Sequence, residues 1–204
     1  MTGGQGVYIE HKYGHAGGNI KVQSKSGNSY RSTSSAMLDK CRYNETRFAG
    51  EHNDLYTERG EVIEGGYRAA FQYTSQAAQK LASENVTGRS KGKAYIYDST
   101  INPGAGRLSE EAAHRMAQDY RGELEARGYK IDGYQYAIHQ GTEHTHIHTM
   151  YASSKTLQLR DMRPMQAAMR QHVEHVQAQE ISASLEAVQA HDQQRDYDRG
   201  DMKR

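Results

Sequence analysis

Tyr134-Gln135-Tyr136-Ala137-Ile138-His139-Gln140-Gly141-Thr142-Glu143-His144-Thr145-His146-Ile147-His148-Thr149-Met150-Tyr151 is the stretch that decides the fold. Tyr134, Tyr136 and Ile138 alternate with Gln135, Ala137 and His139, the period of two expected of a strand with two unlike faces. His144 to Tyr151 alternates in the same way, and Gln140-Gly141-Thr142-Glu143 breaks the run between them. The pair reads as a β-hairpin with a four-residue loop in which His139 faces His144. The same period puts His144, His146 and His148 on one face, so four imidazoles converge on one hairpin. Neutral imidazoles can give three nitrogens to a metal while leaving coordination positions open, the arrangement expected of a catalytic ion. His172 and His175, at i, i+3 beside Glu174, have no third ligand at useful spacing and read as ordinary helix residues.

Upstream, Ser109 caps a helix that carries Ala113, Met116, Ala117, Tyr120 and Leu124 and stops at Gly128. Ala94 to Tyr97 reads as a short strand, with the turn Asn102-Pro103-Gly104-Ala105-Gly106 after it. Tyr67 to Ala82 has helical spacing of small and apolar residues, and 44–66 reads as loop or weak strands. Asn19 to Ser24 is a strand broken by Gly27-Asn28-Ser29, and the hydroxyls of Ser32 to Ser35 precede a helix from about Ser34 to Tyr43. Residues 1–19 are expected to form a flexible arm or short strand. Beyond Pro164 a helix runs to about Ala190, and 191–204 is expected to be disordered. Strands and helices intersperse without a βαβ rhythm, which gives an α+β class: an antiparallel sheet flanked by helices, with one domain over 20–155 and a helical segment over 156–190.

The 204 residues include 26 Lys+Arg, 25 Asp+Glu, 15 Tyr, 20 Gly and one Cys. Counted with Gly and without Tyr, the apolar set is about 37% of the chain, below the ~45–50% of ordinary globular chains, so the core is modest. A lone Cys41 excludes an internal disulfide and a thiolate zinc cage. No segment approaches the ~20 apolar residues of a membrane span, so the expectation is a soluble, cytoplasmic protein without membrane insertion. A formal charge of +1 means that any surface for a polyanion must be local. Residues 20–47 hold Lys21, Lys25, Arg31, Lys40, Arg42 and Arg47 against Asp39 and Glu45; Arg89, Lys91 and Lys93 form a second basic stretch.

His139 to His148 resembles the metal motif of the HUH endonucleases, named for His-hydrophobe-His, and within them the P- and Q-type relaxases of plasmid mobilisation and conjugation. There an isolated His stands seven or eight residues before an HxH pair, and His139 precedes His146 by seven. The resemblance covers roughly residues 20 to 155. It implies a relaxase fold with the metal histidines on a central hairpin, and a divalent ion, Mn or Mg in use with Zn, Ni or Co possible, on His139, His146 and His148. Many relatives carry Asp two residues after the first His. Gly141 stands there instead, which leaves support of a ligand, or contact with phosphate, to His144, Glu143, Asp98 or another acid. The family's nucleophile is a tyrosine at the end of the helix that follows the first strand and a Ser/Gly/Arg-rich loop. Lys25 to Ser32 matches that loop and Tyr43 the nucleophile, with Tyr56, Tyr67 and Tyr73 as alternates.

The activity so implied is that of a relaxase. It nicks one strand at a plasmid origin of transfer by metal-assisted tyrosine transesterification, through a 5′-phosphotyrosine intermediate that serves conjugative transfer. The implied partners are single-stranded DNA on the basic stretches and on stacking tyrosines, accessory relaxosome proteins and a type IV secretion coupling protein. The setting is the bacterial cytoplasm, with delivery to the recipient cell on the DNA. A rolling-circle replication initiator or transposase would place its tyrosine after the motif, where Tyr151 is too close and Tyr197 lies in a charged tail. A non-nuclease His-rich metal protein of the cupin kind would carry Glu shortly after the HxH pair, where Ala152 and Ser153 stand. A DNA-binding module without catalysis would keep its affinity after Tyr43→Phe and after metal removal.

Overall fold

A computed structural model describes residues 8–24, 27–46, 52–85, 92–104, 107–141 and 144–201. The sequence alternation over 131–153 produces two long strands, β6 (Ile131–His139) and β7 (His146–Ser153), joined as an antiparallel hairpin. On the far side of β7 lies β5 (Tyr95–Asn102), and beyond it β1 (Tyr8–His15); a two-residue strand β4 (Tyr56–Thr57) closes the other edge. The order β1-β5-β7-β6-β4 puts the HxH strand at the centre of a five-stranded sheet whose described pairings are all antiparallel. Strands β2 (Asn19–Ser24) and β3 (Gly27–Ser32) form a separate two-stranded hairpin.

Helices cover both faces. On one, α1 (Thr33–Glu45) and α2 (Gly66–Glu84) lay Met37, Cys41, Ala77, Ala78 and Leu81 on Ile96, Met150 and Ala152. On the other, α3 (Glu110–Ala126) and the first half of α4 (Leu159–Asp201) pack Met116, Leu124, Met165, Met169 and Val173 against Ile101, Ile147 and a set of tyrosines. Tyr97, Tyr120, Tyr134, Tyr136 and Tyr151 are fully buried there. Tyr97 stacks on Tyr151 at 5.2 Å, Tyr134 donates its hydroxyl to Ala117 O at 2.6 Å, and the Tyr120 hydroxyl bonds Ser99 and Tyr151. These rings bring large apolar area with a polar end that finds a partner, which suits a chain short of aliphatic residues.

Caps and turns follow local chemistry. Ser32 Oγ accepts from Ser35 N at 3.2 Å to start α1, and Ser109 Oγ accepts from Ala112 N at 3.1 Å to start α3. Helix α2 begins at two glycines of positive φ with no side chain of its own as cap. Glu45, from the end of α1, supplies the missing acceptor: its Oε1 takes Tyr67 N at 3.2 Å, so a buried carboxylate ties the two helices at one point.

Several expectations are corrected. The N-terminal strand is eight residues long and belongs to the main sheet. The stretch expected as a Ser/Gly/Arg-rich loop is, over 27–32, the strand β3, because Gly27 to Ser32 pairs back on Asn19 to Ser24. Strand β5 runs on through Asp98-Ser99-Thr100, since their neighbours on β1 and β7 complete the ladder. Helix α4 starts at Leu159, accepts Pro164 at the loss of one main-chain bond, and continues to Asp201 through the stretch expected to be disordered. No helix among the described residues is long and apolar enough to cross a membrane.

Candidate active site

Register decides which side chains share a face. His139 pairs with His146, Ala137 with His148, and His148 with Thr100, so His139, His146, His148 and Thr100 project from the face that α1 and α2 cover. Toward one end of that face the sheet is apolar, at Ile96, Met150 and Ala152. Toward the other it presents the histidines. The expected facing of His139 and His144 is not what forms. Strand β7 begins only at His146. Thr145 is drawn out of the ladder, its Oγ1 accepting Leu108 N at 2.9 Å, while Gln140 Nε2 donates to Leu108 O at 3.0 Å. The two loop residues clasp one backbone unit ahead of α3, which lengthens the loop to six residues and leaves His144 outside the strand.

The rings of His139 and His148 are 4.6 Å apart, both side chains buried. Tyr43, on the last turns of α1, meets them edge-on, 6.2 Å from His139 and 5.8 Å from His148, and is 40% exposed. Among the described residues it is the tyrosine that meets the histidine pair. The alternates are engaged elsewhere: Tyr56 stacks on Tyr136 and His114, Tyr67 opens α2, and the Tyr73 hydroxyl donates to Glu58. Hydrogen bonds hold both histidines, His139 Nε2 to Asn44 O at 2.6 Å and His148 Nδ1 with Thr100 Oγ1 at 3.1 Å. Asn44 is the residue after Tyr43, so His139 grips the main chain of the helix that carries the phenol. Sequence reading missed both partners. A lone Thr carries no signal, and a main-chain carbonyl none at all.

Lys40, one turn before Tyr43, places its ammonium 5.5 Å from the Tyr43 ring centroid and 3.4 Å from Asp98 Oδ2. Asp98 is 3% exposed, and its carboxyl is raised above the ordinary carboxylate range because burial outweighs the opposing charge of Lys40. Asp98 therefore meets the site through Lys40. Burial likewise pushes the Cys41 thiol up to about 12, and its Sγ contacts Met150 Sδ at 3.5 Å beneath α1.

Of the expected DNA contacts, Arg42 is exposed and pairs with Asp39, and Lys93 is exposed ahead of β5. Lys21 and Arg31 fall on β2 and β3. Lys25, Arg47, Arg89, Lys91 and the proposed acid Glu143 lie outside the described residues. His172 sits between Asp119 and Glu123 of α3, at 3.4 and 3.5 Å, where it helps dock α4.

As a test of fit for a divalent ion, the donor set is three imidazoles on one sheet face, two with rings in contact and with outer nitrogens held by hydrogen bonds. That chemistry suits such an ion, although among the described residues no three His, Cys, Asp or Glu side chains stand close enough to hold one as they are. No protein-family model matches this chain, and searches of curated proteins and of solved structures find no match.

Proposed function

We propose that this chain is a DNA strand transferase of the relaxase kind. Tyr43 attacks a backbone phosphate of single-stranded DNA at an origin of transfer, beside a divalent ion held by His139, His146 and His148. The observation that carries the reading is the contact of the Tyr43 ring with His139 and His148, which brings a half-exposed phenol from an early helix onto the histidines of the central hairpin. Chance packing of a surface tyrosine has no reason to select the two histidines of the motif.

In the step proposed, Tyr43 Oη bonds to phosphorus as the bond from phosphorus to the 3′ oxygen breaks. The phenol proton leaves, and the 3′ oxygen takes up a proton to become a free hydroxyl. A divalent ion, when bound, would polarise the non-bridging oxygens and orient the phosphate. Tyr43 keeps the phosphoryl bond as a 5′-phosphotyrosine, so rejoining needs no ATP. Lys40 holds positive charge beside the ring, where a phosphate must approach. His139, bound to Asn44 O, fixes the height of the α1 terminus over the sheet. The reading takes accessory relaxosome proteins and a type IV coupling protein as partners and places the chain in a bacterial cytoplasm. An initiator or transposase reading would need a tyrosine after the motif, and Tyr151 is fully buried on the opposite face.

The test incubates the protein with a random single-stranded DNA pool and Mn, then captures covalent adducts after denaturation. Adducts that require metal, vanish with EDTA and are lost in Tyr43→Phe are expected. Adducts persisting in Tyr43→Phe would move the nucleophile; no adducts despite measured metal binding would overturn the nuclease reading in favour of a non-nuclease metal protein.

A further inference from the structure

A hydrogen bond to a partner that can only accept fixes which ring nitrogen of a histidine carries its proton, whereas one to a hydroxyl allows either. A main-chain carbonyl only accepts, so the 2.6 Å contact of His139 Nε2 with Asn44 O needs the proton on Nε2. In the neutral ring the lone pair is then on Nδ1. His148 is held by its other nitrogen, with Nδ1 3.1 Å from Thr100 Oγ1. Thr100 and His148 are register partners on β5 and β7, so the hydroxyl is delivered by the sheet and not by a loop. His139 Nδ1 and His148 Nε2 are both buried atoms of rings 4.6 Å apart.

We infer that Thr100 is a positioning residue that keeps the His148 proton on Nδ1, so that the pair is held in opposite tautomers and presents one Nδ1 and one Nε2 lone pair to a cation. Its use rests on the metal-centre reading above; its test does not. A hydroxyl has both a donor and an acceptor side, and a cation on Nε2 requires that it accept from His148 Nδ1. Were it the donor, His148 would carry its proton on Nε2 and turn an N–H toward the space a cation would occupy. Such outer hydrogen bonds orient a ligating imidazole and tune its basicity, and their loss typically lowers metal affinity by about 10–100-fold.

The experiment uses the full chain labelled with ¹⁵N-histidine, free of metal, at a pH where the rings are neutral, and reads each tautomer from ¹⁵N–¹H correlations. His139 is expected as Nε2–H and His148 as Nδ1–H. Thr100→Val, a β-branched replacement suited to a strand, should move His148 toward Nε2–H and leave His139 unchanged, which also reports that the fold is intact. Thr100→Ser should restore the wild-type pattern. Calorimetric titration with Mn²⁺ should then show the Val variant weakened by about 10–100-fold and the Ser variant close to wild type. An Nε2–H tautomer of His148 in the wild type, or an Nδ1–H tautomer that persists in Thr100→Val, overturns the inference. The expected tautomers with no Mn²⁺ binding by any form would uphold it and overturn the metal-centre reading instead.

Discussion

Replacing Lys40 by Met removes the countercharge of a buried carboxylate next to the candidate nucleophile. Lys40 Nζ lies 3.4 Å from Asp98 Oδ2, with the Asp98 side chain 3% exposed and that of Lys40 35%. At an effective dielectric constant of ~20, two unit charges at that distance attract by about 5 kcal/mol. Water at Lys40 and the entropy of holding its chain take back part of this. The expected loss for Lys40→Met is therefore about 2–4 kcal/mol at pH 7.5. The pH dependence has a definite sign. The Asp98 carboxyl is raised by burial, so the native state binds its proton more readily than the unfolded chain does. Stability from this group is present at low pH and lost as pH rises through the raised value. Without Lys40 the raising deepens, so the deficit of Lys40→Met should grow with pH and be larger at pH 7.5 than at pH 5. Adding Asp98→Asn should recover at least about 1 kcal/mol at pH 7.5, because an amide leaves no buried charge. Urea unfolding of the wild type, both single variants and the double variant at the two pH values measures this directly. A coupling under about 0.5 kcal/mol, or a Lys40→Met deficit that ignores pH, would refute the reasoning.

Two further outcomes follow from packing. Cys41, fully buried with its thiol pushed up to about 12, should not react with a soluble disulfide reagent at pH 8 until the chain is unfolded in urea, when one equivalent should react; immediate reaction of the folded protein would show that α1 does not cover it as described. Gly133→Ala should destabilise by about 2–4 kcal/mol, because φ is 58° there and an added Cβ would stand 2.6 Å from Ala77 Cβ and 2.9 Å from Thr74 Cα. An unchanged urea midpoint would argue against that close approach of α2 to β6.

Legibility in the sequence tracked how far an element's own residues determine it. Helix α3 was read end to end, since Ser109, an apolar stripe and Gly128 are all local signals. The histidine hairpin was read as to type and partners but not as to register. Its register depends on Gln140 and Thr145 binding Leu108, a contact 32 and 37 residues away that no alternation records. The sequence marks only the first half of β5, because Asp98-Ser99-Thr100 has no apolar alternation; those residues are in the sheet with Lys40, Tyr120, Tyr151 and His148 answering their polar groups. Glycine, asparagine and serine likewise conceal β3, since Gly27-Asn28-Ser29 carries the composition of a turn. At the site, Tyr43 is singled out in the sequence only by the family resemblance, and its contact with His139 and His148 is seen only in the fold. Thr100 and the Asn44 carbonyl are visible only once three strands and a helix are in register.

The contact between His139 and Asn44 spans 95 residues of chain. Closing a loop of that length costs about 4 kcal/mol in chain entropy, whereas β6 and β7 meet across six residues. On loop-closure entropy the histidine hairpin is expected to form early and locally, and the phenol to join it later, when α1 docks. A chain still emerging from the ribosome holds its tyrosine helix long before it holds any histidine of the motif. The contact of Tyr43 with the histidine pair thus belongs to the finished domain alone.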